Sequence, residues 1–405
     1  MPTIKEQPVN NRSKNPLGNM GWYLTFALIP FDQTYPGLLF LLISKVVSIF
    51  NKTNKLKLFP SESRLVSRTN RLFIYLLISL FISGIFSPEP LIALSLAFAF
   101  SLLFYIFTFG AQHLAFSDPN LLEKSTLLLC IGGSAASIIA LIRYYALDLS
   151  RAGIFSGPNT FGTVIIMYSG IIIGFLFQKE KPYRYLTFPF LFVSTGAMLA
   201  TKSRGAWLGF IGMLISFMVF NKKLTAIFLI ILLLTGVFIF TNPTLNERFL
   251  SIFSLEDRSN LARIHIWEAT LEMIKDNPVF GVGAGVYPLV YSKYVPPHSI
   301  KTQTCFSHNL FLQVAAEFGI VGFVIFMLAL CHVLYMAYSL AKTGNTFYQG
   351  LFAMLIGVLI HQQFDIAIWK MNVGAAFWLF IGIIIGLYRR EFQQTEKQNL
   401  QAPIS

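Results

Sequence analysis

The sequence predicts an all-α, polytopic integral membrane bundle of about twelve transmembrane helices with one long extracytoplasmic loop. Three observations predict it. Of 405 residues, 55% are hydrophobic and only 12% charged, whereas soluble domains carry about a quarter charged residues. Apolar runs able to cross about 30 Å of hydrocarbon recur from end to end. These runs are continuous, not alternating in short strand-like units, which argues against a barrel. The formal charge of +13 does not point to nucleic acid, because most basic residues sit in short connections between apolar runs, where topology explains them.

Taken in order, a polar cytoplasmic tail, 1–19, carries Lys5, Arg12 and Lys14, and the segment after it lacks a small-residue cleavage site. Nine membrane segments follow within 20–240, near 20–32, 36–50, 71–87, 91–109, 124–146, 159–177, 185–200, 205–220 and 224–240. The first is short and interrupted by Pro30 and Pro36, so it spans or lies at the interface. An extracytoplasmic loop, 241–308, precedes three more segments near 309–340, 348–364 and 373–388, and a cytoplasmic tail, 389–405, closes the chain. With the N-terminus inside, Lys52, Lys55, Lys57, Arg64, Arg68 and Arg71, then Lys179, Lys181 and Arg184, then Lys222, Lys223, Lys342, Arg389 and Arg390 all fall on one side. That is the positive-inside pattern.

The long connection balances Arg248, Arg258, Arg263, Lys275, Lys293 and Lys301 against Glu247, Glu256, Asp257, Glu268, Glu272 and Asp276, so no single-sign field is expected there. ARIHIWEATLEMIKDNP, 262–278, spaces Ile266, Ala269, Met273 and Ile274 helically; it reads as an amphipathic helix on the outer membrane face, ended by Pro278. VFGVGAGVYP, 279–288, follows, and its Gly281, Gly283 and Gly285 allow a tight turn and close backbone approach.

Arginines in the outer half of a membrane protein run against the positive-inside bias and need water, an acid or a ligand. Arg143, Arg151, Arg204 and Arg263 map there. Arg204, in TKSRGAWLG, either snorkels to lipid phosphate or joins Arg263 in clamping a diphosphate through its planar fork. Arg151, in SRAGIFSGPNTFG, either contacts its own loop or binds substrate. His308 and Asn309 head the apolar run SHNLFLQVAAEFGIVG. His308 either satisfies the helix end or accepts a proton from a sugar hydroxyl attacking an anomeric carbon. Helical spacing puts Leu312, Ala315, Gly319 and Gly322 on the stripe that His308 heads.

Glu317, deep in the same run, needs a polar partner or a proton; it either holds Arg204 or another outer-half group, or orients an acceptor. His298 and His265 are further candidates. A zinc site from His265, His298, His308 and Cys305 lacks a recognised spacing, and Cys130, Cys305 and Cys331 suggest neither metal nor disulfide framework. His361, Gln362, Gln363, Asp365 and Lys370 make another outer polar cluster.

SHNLFLQVAAEFGIVG resembles the hallmark of the O-antigen ligase and polymerase family: His308–Asn309, nine intervening residues, then Gly319 and Gly322. ARIHIWEATLEMIKDNPVFGVGAGVYP is similar to that family's outer-loop pattern, and TKSRGAWLGFIGML and SGPNTFGTVII to its membrane motifs, so the resemblance covers about 145 to 388. It implies a GT-C-like fold and a bacterial inner-membrane glycosyltransferase. Such an enzyme moves a glycan from an undecaprenyl-diphosphate carrier to a glycolipid or growing-polysaccharide acceptor on the outer face. Carried over, His308 is the base, Arg204 and Arg263 bind and neutralise the diphosphate, and Arg151, Asn309, Glu317 and His298 are substrate-binding candidates. No metal or cofactor is implied, and inversion follows from single displacement. Repeat-unit polymerisation is the alternative within the family. Relatives have also been labelled bicarbonate transporters, but the sequence offers no inverted repeat or paired broken helices.

Overall fold

The computed structural model describes residues 16–50, 64–154, 157–178, 183–300 and 303–401, with side chains at all of these except 45–50, 183 and 393–401. Most of both expected tails, and Lys52, Lys55, Lys57, Lys179, Lys181 and Lys301, lie outside the described residues or side chains. Among the described residues the chain is helical with no β-strand.

The helices are α1 Pro16–Leu28, α2 Tyr35–Phe50, α3 Arg64–Ile85, α4 Pro90–Phe104, α5 Gly110–Ser117, α6 Pro119–Ala146, α7 Pro158–Gln178, α8 Thr187–Ala200, α9 Arg204–Phe220 and α10 Lys222–Thr241. They continue with α11 Pro243–Leu250, α12 Arg258–Asp276, α13 Tyr287–Val290, α14 Leu310–Ala341, α15 Thr346–His361 and α16 Met371–Gln401. Each of the twelve expected apolar segments coincides with a helix. Seven described helices are long and apolar enough to cross a membrane, and Tyr35–Ser44, Arg204–Phe220 and Thr346–His361 are shorter apolar ones. The fourth segment runs further than its hydropathy suggested, because a π-helical turn, Tyr105–Phe109, joins α4 to α5.

Small residues let the central helices touch through their backbones, as they must where lipid supplies no hydrophobic drive between helices. α15 packs against both α7 and α9. A Cβ on Gly350 of α15 would stand 2.4 Å from the Gly170 carbonyl oxygen of α7, and one on Gly209 of α9 would stand 2.6 Å from the Gly357 carbonyl oxygen. α7, α9 and α15 are thereby held in close contact beneath the loops that carry the polar residues.

Two departures from the sequence expectation shape the site. α12 begins four residues earlier than the apolar spacing suggested, because Asp257 caps it by accepting from the Ser259 and Asn260 amides at 3.0 and 3.2 Å. Its apolar face is covered by protein rather than left to lipid: Ile266, Ala269 and Met273 are buried with Val282, Val286, Tyr287, Tyr291 and Ala316 in a second core.

The other departure is a break in α14 at Gly319, where φ is 63° and ψ is −171°. The stripe expected from His308 to Gly322 therefore does not run on one continuous helix. The glycine-rich segment fills the break. Val282 and Gly283 amides donate to the Ala316 and Glu317 carbonyls at 2.9 and 3.0 Å, and the Ile320 amide donates to the Pro278 carbonyl at 2.9 Å. Backbone groups freed inside an apolar bundle must find partners, and here they find them in 278–283. Only glycine fits the junction: a Cβ on Gly319 would meet the Val279 carbonyl oxygen at 2.2 Å, and Gly281 and Gly283 also hold positive φ.

Candidate functional site

A cavity of about 510 Å³ opens between α11 and α12 and the N-terminal ends of α7 and α14. It is lined by Asn159, Arg248, Asp257, Arg258, Arg263 and His308, with Ser259, Ala262, Ile266 and Ile300. That volume falls within the range of small-ligand sites. The charges that looked balanced along the connection are sorted by folding: three arginines and one aspartate face the cavity, while Glu272 pairs with Lys275 and Glu268 with His298 elsewhere.

Arg204 does not present its fork to the cavity. The expectation that it would do so meets a local lock: Nη1 donates to the Ser251 carbonyl and hydroxyl at 2.6 and 2.9 Å, and Nη2 donates to Asp257 Oδ1 at 2.7 Å. The side chain is 7% exposed. Asp257 thus holds both the N-terminus of α12 and the first residue of α9. Burial alone would push its carboxyl up, but the hydrogen bond and charge of Arg204, with the Asn260 and Ser259 amides, hold it below the ordinary value.

Arg263 spends Nε on the Phe364 carbonyl at 2.9 Å and Nη1 on Ser259 Oγ at 3.0 Å, and still lines the cavity. Arg248 spends Nε on the Lys202 carbonyl at 3.1 Å. Arg151 donates to the Thr201 carbonyl at 2.8 Å and to Asn159 Oδ1 at 2.6 Å, so it stands behind the lining and not in it. Arg151, Arg248 and Arg263 are held below the ordinary guanidinium value, first by burial and also by repulsion from neighbouring arginines, which Asp257 or Asp365 offsets in part. A guanidinium does not lose its proton under such pressure.

His308 precedes the helix it was expected to head. Asn309 is the cap, accepting from the Phe311 and Leu312 amides at 3.0 and 3.1 Å. His308 itself has φ 58°, a left-handed conformation that costs roughly 1–2 kcal/mol for a residue with a Cβ and marks a constrained position. Its Nδ1 is buried, 3.4 Å from Asp365 Oδ1, an ion-pair distance longer than an aligned hydrogen bond. Burial would raise the Asp365 carboxyl, but His308, His361 and Asn159 hold it well below the ordinary range. Asp365 is a site residue that no spacing revealed, since 57 positions separate it from His308. Arg248, Arg258 and Asn159 were likewise missed as lining residues.

The remaining candidates lie apart from the lining. Glu317 accepts from Gln313 Nε2 and Trp369 Nε1, each at 2.9 Å, and so holds neither an arginine nor the cavity wall. His298 is exposed, packs edge-on to His265 at 4.7 Å between ring centroids, and lies 3.3 Å from Glu268. Asn309 Nδ2 reaches the Gln363 carbonyl at 3.5 Å. Thus His308 and Arg263 share the cavity, Arg204 and Arg151 support it, and Glu317 and His298 are placed elsewhere.

The family model described as O-antigen ligase matches residues 189–327, from α8 through the cavity arginines and His308 into α14, a narrower span than the motif resemblance. An uncharacterized protein of Haemophilus influenzae is 26% identical over 277 residues, covering 56% of this chain and 69% of the relative. The match over 189–327, on a polytopic helical membrane chain, is a likeness to the O-antigen ligase family that supports the resemblance carried by the motifs.

Proposed function

We propose that this protein transfers a glycan from a polyprenyl-diphosphate carrier, of the undecaprenyl type, to a glycolipid acceptor on the extracytoplasmic face of the bacterial inner membrane. The observation that carries this reading is the single cavity joining three arginines to an Asp-backed histidine.

Arg248, Arg258 and Arg263 offer forked donors whose geometry suits phosphoryl oxygens, and their mutual repulsion is relieved when a diphosphate binds. Arg204 fixes the arm that carries them and Arg151 orients Asn159; neither needs to touch the donor. Asp365 holds His308 Nδ1–H, leaving Nε2 to accept a proton. The acceptor oxygen then bonds to the anomeric carbon as its proton passes to His308. The carbon–oxygen bond to the diphosphate breaks, and its electrons leave with the phosphate. A displacement from the opposite face inverts the anomeric centre. Arginine charge stabilises the leaving group in the role that a divalent metal plays elsewhere.

Purified protein given lipid-diphosphate-linked glycan and acceptor lipid, without added divalent metal, should form glycosylated acceptor. Product that appears only after metal is supplied would refute the metal-independent mechanism. Mass analysis of glycolipids in a deletion strain separates the two family chemistries. Long chains retained on the carrier indicate ligation, and accumulated single repeats indicate polymerisation.

A further inference from the structure

Resting on the reading of His308 as the proton-accepting group, we infer that Glu317 is a positioning residue. A buried hydrogen-bond relay lets it set the backbone of His308 and the segment bearing Asp365 at once. The starting observation is an ionisable side chain 1% exposed inside a membrane helix, away from the cavity. A carboxylate is expensive in such a place, so its partners indicate what it is for.

Those partners lead in two directions. Toward His308, Glu317 Oε1 accepts from Gln313 Nε2 at 2.9 Å, and Gln313 Oε1 accepts from the Ser307 amide at 2.7 Å. Ser307 and Gln313 are both fully buried. The Ser307 amide can only donate, so it fixes which end of the Gln313 amide faces it and leaves the NH2 for the carboxylate. The Ser307 carbonyl is held by Trp267 Nε1 of α12 at 3.1 Å, and the Leu310 amide donates to the Gln362 carbonyl at 2.8 Å. The left-handed backbone of His308 is thus pinned on both sides.

Toward Asp365, Glu317 Oε2 accepts from Trp369 Nε1 at 2.9 Å. Trp369 closes a 3-10 turn, Ala367–Trp369, four residues after Asp365, and its ring stacks on Phe318. The Glu317 backbone carbonyl accepts from Ser83 Oγ at 2.6 Å and from the Gly283 amide, so the hub is anchored at the break in α14. A two-oxygen acceptor is needed because both side-chain neighbours, and the Gly285 amide with them, arrive as donors. An uncharged apolar residue there would strand the Gln313 amide and the indole N–H.

The relay has a polarity that can be exchanged. In Glu317→Gln the new NH2 meets a donor whichever way it turns, facing either Trp369 or Gln313. If Gln313 turns to suit it, Gln313 then presents NH2 to the Ser307 amide. The double change Gln313→Glu with Glu317→Gln restores the pairings along the line from the Ser307 amide to the Trp369 indole. The new carboxylate at position 313 would accept from the Ser307 amide and from the new side-chain NH2 at position 317, whose amide oxygen accepts from Trp369.

The experiment compares the full-length protein, Glu317→Gln and the double variant for glycan transfer and for hydrogen exchange at the Ser307 amide. Glu317→Gln should lower kcat roughly ten- to a hundredfold, the scale of a misplaced catalytic group, leave the donor KM unchanged, and speed Ser307 exchange. The double variant should recover most of the kcat and the protection. A Glu317→Gln protein with normal kcat and exchange overturns the inference, as does a double variant with restored protection but no restored kcat. If Glu317→Gln does not fold, the double variant decides alone, because the relay predicts that it folds and turns over. If the unaltered protein forms no product, the transferase reading fails instead, and Ser307 exchange still tests the relay: unaltered exchange in Glu317→Gln removes it.

Discussion

The two walls of the cationic cavity are built in opposite ways. One rises from the bundle: His308 before α14, backed by Asp365 after α15, and Asn159 at the start of α7. The other is an arm, α11 and α12, that brings Arg248, Arg258 and Arg263 over from α10. The most apolar stretch of α7 is 94% buried inside the protein, whereas that of α10 is only 17% buried. One wall stands on close-packed helices that fix a reacting group; the other hangs from a helix with few protein neighbours and is tied down by Arg204 and Asp257. On the proposed function, positioning chemistry falls to the packed wall and anion binding to the arm.

That division predicts different kinetic signatures, and the largest belongs to the packed wall. His308→Ala should lower kcat by about 10²- to 10⁴-fold, the span of general-base contributions, with little change in donor KM, as read by product formation on saturating donor. An unchanged kcat would break the division outright. Next in size, Arg263→Ala should raise the donor KM roughly 10- to 100-fold while kcat falls less, since a charge-assisted hydrogen bond contributes about 1.5–3 kcal/mol and 1.4 kcal/mol is tenfold. A kcat effect without a KM effect would place Arg263 with the chemistry.

The division also has a stability signature. Gly350→Ala forces a Cβ to within 2.4 Å of a backbone oxygen on α7, so thermal unfolding in detergent should show a loss of about 1–3 kcal/mol. Gly236 in α10 has nothing within 4 Å of its Cβ position, and Gly236→Ala should stay within about 0.5 kcal/mol of the parent. Equal losses would show that the two walls rest on equally packed helices.

The smallest effect is an acid dependence of the arm. The carboxyl of Asp257 is held below its ordinary value, so its contribution is complete above the unfolded value of about pH 4 and is lost as pH falls through the folded one. Asp257→Asn should remove that acid-sensitive part of the stability curve. The group is partly exposed, so solvent screening keeps the effect small.

How much of this was legible follows from the range of each signal. The helices were legible because a span needs a continuous apolar run, which is a local property. The break in α14 was not, since FGIVG is apolar throughout and a glycine there is also ordinary packing; only contact with 278–283 discloses it. His308 and Arg263 were legible as polar groups in costly places. What Arg204 does was not, because its partner lies 53 residues further on at a helix cap, and the same charge could have served a ligand. Asp365 was visible only as one of a polar cluster. Its pairing with His308 depends on α14 and α15 ending side by side, and no periodicity in either helix records that. The arm's apolar face was read as lipid-facing because sequence spacing cannot distinguish lipid from Tyr287 and Tyr291.

The central claim is that the arginine arm and the Asp-backed histidine act on one substrate, and a structure of the protein with a bound polyprenyl-diphosphate glycan tests it most directly. The account predicts both phosphorus atoms among Arg248, Arg258 and Arg263, with the first sugar directed toward His308. Diphosphate density elsewhere in the bundle, with this cavity vacant, would contradict it.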